Sequence, residues 1–190
     1  MPHSSPDGKE FFTEWFKCFL STVPGLSNPK RVLDVGPGAG TYGNIIRSVD
    51  EFCYIEAVEI FEEYIDRFYL RSIYDKIWVY DIRDFSKLDQ DSYDLIIFGD
   101  VLEHIPKYEA VDVWRRMKPH ARFLMVSLPI IVPGRAWSIP YNQSASEYQK
   151  NRNERHIYNW KYDELVNEMG PFLWRSAYQF VGVFIAEGGL

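Results

Sequence analysis

The chain has only two cysteines among its 190 residues, Cys18 and Cys53. They follow neither a disulfide framework nor a metal or redox spacing, which excludes a stapled secreted scaffold and favours a reducing compartment. Long apolar runs are missing too: no stretch approaches the roughly 18 residues a membrane helix requires. Met1 to Glu10 is polar rather than signal-like. The expectation is a soluble, cytoplasmic protein with no membrane segment. Basic residues are in the minority, 21 Lys and Arg against 27 Asp and Glu, and the net charge of -6 disfavours a nucleic-acid groove. There is no His-x-x-x-His pair or other obvious cluster of metal ligands, so no metal is expected. Repeats, low-complexity tracts and interdomain linkers are also missing, and nothing in the chain states an oligomeric state.

What is present is a core-building composition, 46% hydrophobic and 17% aromatic, on a length that suits one domain. Phe11, Phe12, Trp15, Phe16, Phe19 and Leu20 recur at helical spacing before Pro24-Gly25, which predicts an aromatic-faced helix packed on a sheet edge or covering a site. From residue 31 the pattern alternates. Strands are expected at Arg31–Val35, Tyr54–Glu59, Lys76–Tyr80, Tyr93–Phe98 and Arg122–Leu128, and helices at Thr41–Val49, Phe61–Leu70 and Pro106–Met117. Such a βαβ series builds a parallel sheet covered on both faces, with ligands beyond the carboxyl ends of its strands and the first strand central. Pro129 to Arg155 has three prolines and no periodicity and reads as a long functional loop. A last helix near Trp160–Met169 stops at Gly170-Pro171, and Leu173–Phe180 and Val181–Ala186 close the sheet.

The most informative segment is Arg31-Val-Leu-Asp-Val-Gly-Pro-Gly-Ala-Gly-Thr-Tyr-Gly43. A buried strand runs into glycines that let the backbone bend and let a ligand approach bare amides. Gly38, Gly40 and Gly43 also satisfy the GxGxxG pattern of dinucleotide folds. The register differs, because the first glycine after the strand is Gly36, preceded by Asp34, and this spacing suits a smaller ligand.

Val32-Leu-Asp-Val-Gly-Pro-Gly-Ala-Gly40 resembles the first motif of class I S-adenosylmethionine-dependent methyltransferases, and three further motifs follow in order. Glu59 ends the second strand where that family places an acid on the ribose hydroxyls, since a carboxylate accepts two hydrogen bonds from a vicinal diol. Tyr80-Asp81-Ile82 resembles the motif in which the acid accepts from the adenine amino group and the apolar residue lies against the ring. Phe98-Gly99-Asp100-Val-Leu-Glu-His104 resembles the segment beneath the methionine portion.

The resemblance covers residues 31–128 well and the remainder loosely. It implies a Rossmann-like, doubly wound α/β fold with a seven-stranded, mostly parallel sheet in order 3-2-1-4-5-7-6, strand 7 antiparallel. It also implies one domain over 1–190: a helix and lid region at 1–30, a cofactor core at 31–128, an acceptor-side loop at 129–160 and a closing helix and strand pair at 161–190. S-adenosylmethionine is the expected cofactor. Its site is expected to use Asp34, Gly36, Gly38, Gly40, Tyr42, Glu59, Ile60, Asp81, Ile82, Gly99 and Asp100.

Methyl transfer from a sulfonium asks the protein to align a nucleophile and, for a hydroxyl, to remove a proton. His104, Asp100 and His156 are the candidates for that help, with packing or loop-pinning as the plainer role of each histidine. Trp137, Tyr141, Asn142 and His156 are the candidate acceptor contacts. The family's asparagine-proline-proline-aromatic motif is replaced by Gly99-Asp100-Val101, which argues against exocyclic amines of nucleic acid. A sugar, glycan or small-molecule hydroxyl is the expected acceptor. A non-catalytic module that binds the same cofactor is the alternative, and an NAD-dependent oxidoreductase is a remote one.

Overall fold

A computed structural model describes residues 13–15, 18, 31–84, 92–131, 151–178 and 181–190. Strands β1 (Arg31–Val35), β2 (Tyr54–Glu59), β3 (Lys76–Val79), β4 (Tyr93–Gly99) and β5 (Ala121–Ile131) alternate with helices α1 (Thr41–Val49), α2 (Glu63–Arg67) and α3 (Lys107–Met117). The chain then adds β6 (Trp160–Lys161), α4 (Tyr162–Met169), β7 (Trp174–Tyr178) and β8 (Val181–Glu187). The sheet order is β3-β2-β1-β4-β5-β8-β7, with two-residue β6 paired to β5 beside that path. With β6 set aside this is the expected order. The pairs from β3 through β5 are parallel, and β8 runs antiparallel to both β5 and β7.

Strand alternation sends side chains to two covered faces, which is why these segments read as nearly continuous apolar runs. Leu33, Val35, Ile96 and Phe98 join one buried cluster with Trp114 and Met117 of α3 and Leu165 and Met169 of α4. Val32, Ile55, Leu95 and Ile97 face the other, with Ile46 of α1 and Ile65 of α2. Trp114 and Trp160 are fully buried, and each indole donates to a backbone carbonyl, Met169 at 2.9 Å and Leu102 at 3.4 Å. Glu56, buried on β2, is paired with the Arg31 guanidinium and accepts from Trp78 Nε1 at 2.7 Å, so its charge is not left alone.

Several expected boundaries shift. The helix expected at 61–70 divides into α2 and a short 3-10 turn at Leu70–Ser72, because Tyr69 takes a left-handed φ of 54° that breaks the hydrogen-bond ladder. β5 runs through Pro129 to Ile131. Its pairing with β4 stops at Ser127, so Pro129 lies beyond the last β4 partner and its missing donor costs no bond there. Trp160 is a strand residue opposite Ile130, and the last helix begins at Tyr162. Of the expected aromatic helix, residues 13–15 and 18 are helical, and Trp15 packs partly buried against the second cluster.

Candidate functional site

The parallel register brings the carboxyl ends of β1 to β5 into one row. Val35 lies beside Val58 and Phe98, Glu59 beside Val79, and Gly99 beside Ser127. Most of the expected cofactor residues therefore sit on or just past the same row of strand ends, on segments remote in sequence, while Tyr42 stands on α1.

Gly36, Gly38 and Gly40 all have positive φ, 66°, 52° and 76°. At Gly36 an added Cβ would lie 2.6 Å from a Val101 methyl, and the Gly36 amide donates to Val58 O at 2.8 Å. The loop is thus held against β2 while it crosses close to the residue after Asp100. Gly40 caps α1, and its amide is turned back to Pro37 O at 2.8 Å.

Asp34 is buried at the end of β1, where Tyr74 Oη donates to its Oδ2 at 2.6 Å. Oδ1 is buried without a hydrogen-bond partner. Burial pushes the Asp34 carboxyl up to about 7 against the opposing pull of the Tyr74 hydroxyl. Glu59 is buried to 4% exposure, and its Oε1 accepts from Phe61 N at 2.8 Å. Burial raises this carboxyl also to about 7, with backbone amides of Phe61 and Gly38 favouring the charged form. Ile60, next along, is exposed, whereas Ile82 is buried in the first cluster.

Asp81 follows β3 and is gripped by Arg83, whose Nε lies 2.9 Å from Oδ1 and 3.0 Å from Oδ2. Those charge-assisted bonds hold its carboxyl below the usual range. Arg83 also reaches Glu109 at 2.6 Å, tying the motif to α3. Sequence reading did not foresee this clamp, although Arg83 stands two residues away.

Tyr42, on the first turn of α1, is buried with its ring over Gly99, where an added Cβ would lie 2.0 Å from the ring. Asp100 has a left-handed φ of 57° and its amide donates to Ser127 O at 2.7 Å, so β4 turns sharply outward into Leu102–His104. His104 is largely buried, which lowers its basicity. Its ring meets the His156 ring edge to face, centroids 4.7 Å apart. Burial also lowers His156, to about 4.

His156 reaches this place because residues 151–158 return across the sheet edge. Ile157 N and Tyr158 N both donate to Glu103 O, at 2.8 and 3.1 Å, and Tyr64 Oη donates to Glu154 at 2.9 Å. The sequence held no metal-ligand spacing, yet the fold gathers Glu103, His104 and His156. Trp137, Tyr141 and Asn142 lie outside the described residues. Tyr74, Glu103 and Glu154 were not foreseen. A buried tyrosine carries no local signal, and Glu103 gains its place only from the fold that buries it beside two histidines.

The residues fit a nucleoside with a charged tail. Three positive-φ glycines leave a backbone approach, Asp34 Oδ1 is an unmatched acceptor, and Glu59 stands at the end of β2. Among the described residues no helix is long and apolar enough to cross a membrane.

A family model described as a methyltransferase domain matches residues 9–175. No curated protein matches the chain in sequence. Similar solved structures include an O-methyltransferase family protein from Burkholderia thailandensis, with a TM-score of 0.63 at 12% identity, over 95% of this chain and 58% of that one. The N-terminal domain of EvdMO1, in the presence of SAH and D-fucose, gives 0.64 at 12% identity over 99% of this chain and 84% of that one. The PH0226 protein from Pyrococcus horikoshii OT3 gives 0.62 at 13% identity over 97% and 92%. The chain therefore spans somewhat over half the length of the Burkholderia protein and most of the other two.

Proposed function

The chain belongs to the methyltransferase domain family, and on that premise we propose that it methylates a hydroxyl of a sugar, glycan or small molecule. The observation that carries this reading is the single row of strand ends. It sets the glycine loop and Glu59 beside the turn that bears Asp100 and His104. S-adenosylmethionine is the cofactor, and when bound it supplies a sulfonium-activated methyl group.

The chain's own residues have four tasks in this reading. Glu59 accepts from the ribose hydroxyls, and their donation offsets the burial that raises its carboxyl. Asp81, oriented by Arg83, and Ile82 take the adenine edge and face. Gly36, Gly38 and Gly40 leave room for the amino-acid tail by carrying no side chain, Asp34 lies behind them, and Tyr42, Ile60 and Gly99 shape the walls. Asp100, His104 or His156 takes the acceptor's proton, since a hydroxyl must lose one as its oxygen gains the methyl group.

The acidic balance and the absence of the amine-methylating motif support an uncharged hydroxyl. The presence of D-fucose with the EvdMO1 domain, a protein of the same fold, supports a sugar. The acceptor-side contacts in this reading are Trp137, Tyr141, Asn142 and His156. Methyl-labelled cofactor incubated with panels of sugar, phenolic, amine and thiol acceptors tests it. Labelled O-methyl product is expected, and labelling confined to amines or thiols overturns the hydroxyl reading. Cofactor binding without turnover on any panel would favour the non-catalytic module. Family membership removes the oxidoreductase alternative.

A further inference from the structure

We propose that Glu103, His104 and His156 form a binding site for a divalent first-row transition-metal ion. One ligand atom from each lies within 4.8 Å of the other two. Glu103 is 1% exposed, and neither carboxylate oxygen has a hydrogen-bond partner. His104 Nδ1 is likewise buried and unpartnered. His156 Nε2 is 4.0 Å from Glu103 Oε1. Buried polar atoms are nearly always satisfied, because each unmatched one costs on the order of 1–3 kcal/mol. Two buried carboxylate oxygens and a buried ring nitrogen without partners, in a cluster with a second imidazole, are what a cation would satisfy.

The backbone holds the group together before any ion arrives. Glu103 and His104 share the short turn at Leu102–His104, and the paired amides of Ile157 and Tyr158 on Glu103 O deliver His156 to the same spot. Donors around a tetrahedral ion with bonds of about 2.1 Å lie roughly 3.4 Å apart, so small rotations of side chains close the site. Asp100 and Glu154 act electrostatically on Glu103, and a divalent charge would relieve the repulsion among the three acids.

Two imidazoles and one carboxylate select manganese, iron, cobalt, nickel or zinc over magnesium or calcium, which prefer oxygen. Three protein ligands leave positions open for an acceptor oxygen, whose proton the ion would acidify. His104 and His156 then serve as ligands through their lone pairs, and Asp100 remains as the proton acceptor.

The site overlaps the one proposed for methyl transfer but does not depend on that reading, because metal and cofactor titrations fail separately. The test uses full-length, tag-free protein stripped with chelator and titrated with Co2+, followed by visible absorption and calorimetry, and Zn2+-loaded protein for X-ray absorption. One Co2+ per chain with ligand-field bands, and two imidazoles around Zn2+, are expected. Glu103→Gln and His156→Ala should each weaken binding by more than the roughly 10–100-fold that outer-sphere changes cost, while His120→Ala leaves it unchanged. Affinity for S-adenosylhomocysteine checks that each variant is folded. No saturable Co2+ binding, fewer than two imidazoles around Zn2+, or equal binding by folded Glu103→Gln and the wild type overturns the proposal.

Discussion

Tyr74 donates its hydroxyl to the Asp34 carboxylate at 2.6 Å inside the core, across 40 residues of chain, directly behind the glycine loop. The contact positions one acid of the candidate cofactor site from within the fold. Tyr74→Phe removes the donor and deprives Asp34 Oδ2 of its tyrosine partner. Urea unfolding should show a loss of about 1–3 kcal/mol. Unchanged stability would mean that the bond contributes nothing.

Asp34 also makes stability depend on pH. Its native pKa of about 7 lies above the unfolded value, which is about 3.9. Its contribution is therefore fully present below about pH 4 and is lost as pH rises through about 7. Asp34→Asn cannot ionise. Without cofactor, the variant should gain on the wild type by a few kcal/mol between pH 5 and pH 8, measured by thermal or urea unfolding. A constant difference across that range would contradict the raised pKa.

Glu59→Ala should weaken S-adenosylmethionine binding roughly 10–100-fold, the effect of losing one or two hydrogen bonds to a charged group. Because Glu59 also accepts from Phe61 N, the thermal stability of the free variant is measured beside calorimetric affinity. Unchanged affinity removes the ribose assignment.

Gly99→Ala places a methyl group 2.0 Å from the Tyr42 ring, at the end of a central strand. Overpacking of this kind costs about 1–3 kcal/mol. Pairing it with Tyr42→Leu, which removes the facing ring edge, should recover part of the loss. A double-mutant cycle by urea unfolding reads the coupling. Strict additivity would show that the contact does not set the position of α1 against β4.

The local grammar of the chain was legible where it repeats over a few residues. Strands β1 and β2 and helix α1 start and stop as their apolar periods and glycines predict, because alternation and turn chemistry act between near neighbours. Tyr69 was less legible, since nothing in its residue type announces a left-handed φ. Pro129 misled for a related reason: its cost in a strand depends on whether a partner needs its amide, and only the sheet shows that β4 has ended.

By itself, the sequence determined the α/β class and the positions of Asp34, Glu59, Asp81 and Gly99 at or near strand ends, because these are set by local pattern, while the strand order was implied by the family resemblance. The tertiary structure alone decided that Tyr74 supports Asp34 and that Arg83 joins Asp81 to Glu109. It also decided that His156 stands beside Glu103 and His104. These pairings join residues from separate segments. They exist only once the parallel sheet has aligned its carboxyl ends and the segment at 151–158 has folded back onto them.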